Sequence, residues 1–480
     1  MLHADNASTT GQVSGPRSPL PSRWALTTFV VLFSMNLLDY VDRGVLSAVL
    51  PLIKTDLKID NTQAGFLAFL FLLSYSVFGL FTGWAGDRMK RTYLLALGVG
   101  VWSLATVATG FAHTYNQLMW ARGFLGIGEA TYGVIAPTIL MDLFTRDRRA
   151  RVMSAFYLAM PVGGALGMVL GAAIAKKYGW NMSFLIVGVP GLFMAVVALF
   201  LPEPIRGTSE GVDPDRLRAH ERAGASLADY TDLMVNSSYT YAVLGMAFST
   251  FAIGGLAYWL PTFLMEARGI EAVRATGLLG LTTLFAAILG MTAGGWLADR
   301  MAKTNPRALF VVPGLAMLGS VPFIILGLYA RHEVWIFTGI FLAEMLMFVN
   351  TGPCNAVIAN VVAPNLRAAA YAIAIAAVHF LGDLWSPMLM GWIADTFGQT
   401  DTMATSFGRA VAAIGANPID GQNLLAGMLV VVPAMVGSGL VLLIGARHLP
   451  GEMALMLAKL QAVPRSPATG DSSEGNEDLR

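Results

Sequence analysis

Asp39, Asp42 and Arg43 stand inside a run that otherwise reads as hydrocarbon, LTTFVVLFSMNLLDYVDRGVLSAVL at residues 26–50. An ionisable side chain at membrane depth is costly, so three within five residues require partners, water or both. Their i, i+3, i+4 spacing puts them on one helical face, which must look into protein or a wet cavity. A second apolar stretch, RGFLGIGEATYGVIAPTILMDLF at 122–144, carries Arg122 and Glu129. Seven residues at ~1.5 Å each place these two roughly 10 Å apart along one face. Carboxyl groups whose surroundings alternate between cation, water and hydrocarbon can bind and release a proton. A guanidinium can grip a phosphate or carboxylate with two parallel hydrogen bonds. Asp42 is the first candidate for a coupling acid and Glu129 the second, with Arg43 steering Asp42. Arg122 is the candidate anion clamp, and Asp39 a helix cap or a partner for Arg43. The same five residues also fit a static salt-bridge network between two helices.

His379 and Asp383 repeat the theme at i, i+4 in HFLGDLWSP (379–387). A histidine titrates near neutral pH and can hold a proton or touch an anionic head group; it can equally be a core histidine satisfied by Asp383. The segment GWAGDRMKR, 83–91, places Gly83 and Asp87 before the bases Arg88 and Arg91. GGWLADRMAK, 294–303, repeats the pattern through Asp299 and Arg300 with its bases spread out. Small residues allow close helix approach. An acid followed by bases at a helix end can latch a facing helix in one state and release it in another, the pair of states that alternation requires. Charge that merely sets topology is the alternative.

The elements that must position these groups are spanning helices. Of 480 residues, 55% are hydrophobic and 13% charged, against about 25% charged in soluble domains. Mean hydropathy is +0.62. Twelve stretches are long and apolar enough to cross a bilayer, near 24–51, 64–84, 92–112, 117–141, 150–175, 182–202, 237–264, 275–297, 308–330, 333–361, 367–393 and 423–447. The polar segment 203–236 splits them six and six, and 398–422 is the other long connection. Most of the 31 Lys and Arg fall in loops on one side, notably 88–91, 146–151, 206–222 and 300–307, so both termini are expected in the cytoplasm. Lys176 and Lys177 dissent locally. The expected organisation is a tail (1–22), a six-helix bundle (23–203), a cytoplasmic linker (204–236), a second bundle (237–448) and a tail (449–480), whose stretch 449–462 is close to amphipathic.

Several classes are excluded. The formal net charge of +1 offers nothing to nucleic acid. Residues 1–22 lack the apolar core of a cleavable signal. The single cysteine, Cys354, rules out an internal disulfide. Gly126 and Gly128 lie within a span with no preceding strand, so they form no nucleotide loop, and no Walker or metal motif appears. No cofactor, metal or enzymatic activity is expected. Two six-helix repeats joined by a cytoplasmic linker fit a carrier that rocks one half against the other around a central site.

GWAGDRMKR at this position resembles the loop 2–3 signature of the major facilitator superfamily. NLLDYVDRGVLSAVLP (36–51), the 122–144 segment and HFLGDLWSP resemble its Spinster branch more narrowly. The resemblance implies an all-α polytopic fold of two pseudo-symmetric six-helix bundles, with helices 1 and 4 lining the cavity. It implies a monomer that moves an amphipathic anionic lipid, such as a lysophospholipid or sphingoid phosphate, by alternating access coupled to protons, and the short tails and compact loops point to a bacterial inner membrane. It supports Asp42, Arg43, Arg122 and Glu129 as working positions, with His379, Asp383 and Asp39 near the head group. A carrier of drugs or small organic anions is one alternative; a membrane lipid sensor that moves nothing is another.

Overall fold

A computed structural model of the chain describes residues 22–144, 152–153, 155–204, 233, 235–362 and 366–462; the side chains of residues 22, 87, 367–369, 457 and 459–462 are outside that description. Among the described residues there are twelve helices long and apolar enough to span a membrane. They are α1 (Arg23–Leu57), α2 (Asn61–Gly86), α3 (Arg91–Gly110), α4 (Tyr115–Leu143), α5 (Ala155–Tyr178), α6 (Trp180–Leu199), α7 (Ser237–Ala267), α8 (Ala272–Ala302), α9 (Ala308–Tyr329), α10 (Glu333–Val361), α11 (Ala370–Thr396) and α12 (Leu424–Gly445). The first six pack together and the last six pack together, the two-bundle architecture expected from the sequence. The expected tail 1–21 and most of the expected linker lie outside the described residues. The expected C-terminal tail opens as a helix, α13 (Leu449–Ala462). It is docked on the second bundle: Leu449 is fully buried, and Glu452 accepts hydrogen bonds from the Ser237 and Ser238 amides at the α7 N-terminus.

Glycines fix how the helices that carry the charges approach one another. α1 lies against α5 so closely that a Cβ on Gly167 would fall 2.2 Å from the Val41 carbonyl oxygen. α4 is pressed against α3, where a Cβ on Gly128 would meet the Trp102 amide at 2.4 Å, and against α2 through Gly126. The glycine pair Gly126 and Gly128 is therefore a packing device. Gly163 and Gly171 act with Gly167, and Gly290 and Gly294 seat α8 on α10, as their spacing predicts. Gly79 and Gly83 do not: an added Cβ at Gly83 would have open space around it.

One expectation fails on continuity. The apolar pattern over 367–393 predicts an unbroken helix, but α11 is interrupted at 382–385. Gly382 is wedged against α7, where a Cβ would fall 2.7 Å from the Ala247 carbonyl oxygen. Pro387, at the start of the next helical segment, has no amide to continue the ladder. Freed backbone groups at membrane depth need replacement partners, and the Trp385 indole supplies one by donating to the Phe380 carbonyl at 2.9 Å.

Candidate functional site

α1 and α4 bring their charged residues together, with a pairing that differs from the one the spacing suggests. The Arg43 guanidinium engages Glu129, through Nε at 2.8 Å and Nη2 at 2.7 Å, and Asp39 at 3.5 Å. The expected steering of Asp42 by Arg43 is absent as an ion pair. Asp42 turns to α3 and accepts a hydrogen bond from Thr106 Oγ1 at 2.5 Å. The reason is angular: residues 39 and 43 lie about 40° apart around the helix axis, whereas residue 42 lies about 60° from 39 on the other side, about 100° from 43, and meets another helix. Tyr40, Phe71 and Tyr75 place their rings 5.0–5.5 Å from the Arg43 guanidinium carbon, a cation–π cage.

Burial sorts the group. Asp39, Asp42, Arg122 and Glu129 are each 3% exposed or less, while the Arg43 side chain keeps 31% of its surface. Arg122, expected as an accessible clamp, is enclosed. Its guanidinium carbon lies 5.2 Å from the Phe184 ring, and its Nε and Nη2 have no hydrogen-bond partner. Opposite charge acts on it only through space: Asp42 and Glu129 are within electrostatic reach, and neither forms an ion pair with it. One oxygen of each of Asp39, Asp42 and Glu129 also lacks a partner. The five residues thus form one under-bonded cluster of three acids and two bases, buried except at Arg43.

His379 and Asp383 are joined as expected, with Nδ1 at 2.9 Å from Oδ1, although the helix breaks between them. The His379 side chain is 40% exposed and lies within electrostatic reach of Arg43. Glu344, another buried acid, sits in α10 with one oxygen unpartnered. An apolar groove of about 690 Å³ between the outer faces of α3 and α4, lined by Trp120 and Phe124, is separate from these charges.

The candidate gating residues are placed unevenly. Arg91 is 4% exposed and braces its own bundle, bonding Asp142 at 2.6 Å, Glu203 at 3.0 Å and the Pro204 carbonyl at 2.9 Å. Arg88 bonds the carbonyl of Trp84 and stacks on its ring, Arg300 stacks on Trp296, and Asp299 is exposed. The side chain of Asp87 lies outside the described residues. Burial works to lift the Glu203 carboxyl, but its bonds from Arg91 and the Thr92 amide prevail and hold it below the ordinary value of 4.5. A carboxyl held low stabilises the fold above its unfolded-state value and loses that contribution as pH falls through its folded value. Thermal stability of the wild type should therefore fall more steeply than that of Glu203→Gln as pH drops below about 4.5. Parallel melting curves between pH 7 and 3 check this, and coincident slopes would refute it.

Sequence reasoning missed the contacts that close the opposite end. Lys54 of α1 bonds Glu266 of α7 at 2.8 Å and Gln422 at 3.1 Å. Gln422 returns a bond to Glu266 and accepts one from Asn61 of α2. Asp395 of α11 accepts from the backbone amides and side chains of both Asn61 and Thr62, capping α2 from the other bundle. Among the described residues, every hydrogen bond and ion pair joining the bundles lies in the half away from the linker. The bundles are sealed there. Each of these residues sits alone at a helix end, where charge is ordinary, so no sequence signal singles it out.

Residues 32–382 match the family model described as Major Facilitator Superfamily. Among curated relatives, protein spinster homolog 1 of Xenopus tropicalis is 33% identical over 395 residues, covering 78% of this chain and 73% of the relative. The Homo sapiens homolog 1 is 35% identical over 403 residues, covering 78% and 74%. Among solved structures, a bacterial homolog to the human lysosomal transporter Spinster, in an inward-facing and unoccupied conformation, superposes with a TM-score of 0.75 at 22% identity, covering 94% of this chain and all of that one. A D-xylose–proton symporter superposes with a TM-score of 0.65 at 16% identity, covering 89% and 97%.

Proposed function

This chain belongs to the major facilitator superfamily and, within it, to the Spinster family of membrane transporters, and on that premise we propose that it carries an amphipathic anionic lipid, such as a lysophospholipid or sphingoid phosphate, by proton-coupled alternating access. It is a multi-pass membrane transporter and not an enzyme.

The observation that carries the proposal is the charge balance of the α1–α4 network. Three carboxyls face two guanidiniums, and of the five groups only Arg43 keeps appreciable contact with water. One proton balances the set, and a change of partners as the cavity opens is a physical means of exchanging it. Arg43, caged by aromatic rings and within electrostatic reach of His379, suits the anionic head of an amphiphile. Arg122 acts from behind, through Asp42. With the linker on the cytoplasmic side, as the Lys and Arg bias favours, the described state opens inward.

The decisive experiment is flux into proteoliposomes. A fluorescent lysophospholipid should enter faster under an imposed pH gradient, and a small organic anion such as benzoate should not. Absence of any lipid movement in protein-containing vesicles would overturn the carrier reading. The far-end seal gives a second test. Asp395→Ala removes the bonds that hold the first turn of α2 from the other bundle, so spin labels at Lys177 and His332, on exposed far-end positions of opposite bundles, should move apart by several ångströms on average. Cys354 is fully buried, which keeps the labelling selective. An unchanged distance distribution would show that the seal is held elsewhere.

A further inference from the structure

The sealed end contains a second cavity, of about 170 Å³, apart from the α1–α4 network. The end of α7 forms one wall, where Phe263–Ala267 adopts a π-helical turn; such turns insert one extra residue and recur at functional sites. The excursion between α11 and α12 forms the other wall, through Asn417 and Gln422.

The charge on these walls is unbalanced. Glu266 lines the cavity, but Lys54 neutralises it at 2.8 Å and Gln422 bonds it as well. Arg268 has no such partner: among the described residues it forms no ion pair. One Nη2 proton goes to the Leu328 carbonyl, the Phe263 ring lies 5.0 Å from the guanidinium carbon, and Nε has no acceptor. A guanidinium has five N–H donors, so most of this one's capacity is unused. Burial pushes the Arg268 pKa down, with Tyr329 only partly opposing, as befits a cation without a counter-charge.

The geometry points to an oxyanion site, taking a phosphate- or carboxylate-sized group with Arg268 as its principal donor and the Asn417 amide as its second. A water molecule occupies ~30 Å³ of liquid, so the cavity has room for such a group and not for a lipid tail. Planar guanidinium donors match either anion bidentately. Because Glu266 and Gln422 also belong to the far-end seal, an anion here would hold the excursion against α7 and favour the closed far end. The site does not depend on the lipid reading.

The test uses the full-length protein purified in detergent and phosphate-free buffer. Calorimetric titration with inorganic phosphate should give a saturable signal, weakened by about tenfold or more in Arg268→Gln, since a charge-assisted hydrogen bond is being removed. Asn417→Asp, at an exposed position, puts a negative charge on the cavity wall facing the anion and should abolish binding while the melting temperature is kept. A parallel titration with dihexanoyl phosphatidic acid separates the two sources. Phosphate binding supports a free anion, and binding of the soluble lipid alone supports a head group, provided either is lost in Asn417→Asp. No saturable binding of either, or binding equal in wild type and Asn417→Asp, would overturn the site.

Discussion

Transport by Asp42→Asn is expected to lose its response to a pH gradient while the protein still folds and inserts. Asparagine keeps the size of aspartate and still offers Thr106 an acceptor, so packing against α3 survives. What changes is the balance: two carboxyls then face two guanidiniums, and the network has no need of a proton. Rates measured in liposomes at several imposed gradients should be flat for the variant and graded for the wild type. Asp39→Asn and Glu129→Gln are the necessary comparisons, because each also removes one acid. Those two lie on Arg43, so they should weaken substrate affinity as well as coupling. A wild-type pH response in Asp42→Asn, with the response lost in one of the others, would transfer the coupling role to that residue.

Arg91→Ala is expected to produce the largest loss of stability. The side chain ties the start of α3 to Asp142 at the end of α4 and to Glu203 and Pro204 beyond α6. Removing it takes the cation away from two carboxylates, although Glu203 keeps its bond from the Thr92 amide. Breaking a buried pair costs ~3–5 kcal/mol, and the partial exposure of both acids, 15% and 29%, puts this case toward the lower end of that range. Arg91→Lys should recover only part of it, because an ammonium cannot bond three acceptors in the same fork geometry. Reversible denaturant unfolding in mixed micelles measures both. Wild-type stability in Arg91→Ala, accompanied by altered distances between the bundles, would mean that this arginine latches the bundles rather than bracing one.

The loop signature shows how far a motif can be read. Its glycine spacing and bases suggested a latch between helices, and the structure puts Arg91 inside one bundle with Gly83 facing open space. A motif encodes which groups are available, whereas the conformation decides what they touch. The α1 charges behave the same way. Their type and depth marked them as functional candidates, but helical spacing alone assigned Asp42 to Arg43. The partner it has, Thr106, is 64 residues away on a helix that drew no attention.

What the sequence determined by itself is local in origin. Hydropathy over some twenty residues specifies a spanning helix regardless of its neighbours, so the twelve spans, the six-and-six division and the charged helices were all readable. Helix ends were less so: α1 continues through Lys54 to Leu57, past the apolar run, because a polar last turn can remain helical where it finds partners across the interface. Only the tertiary structure decided the partners. The Lys54–Gln422 bond spans 368 positions, and which faces meet depends on glycine contacts that set helix rotation and separation to within a fraction of an ångström. The interruption of α11, the enclosure of Arg122 and the sealed far end all follow from that packing, since a buried charge or a freed carbonyl takes the partner that neighbouring backbones leave within reach.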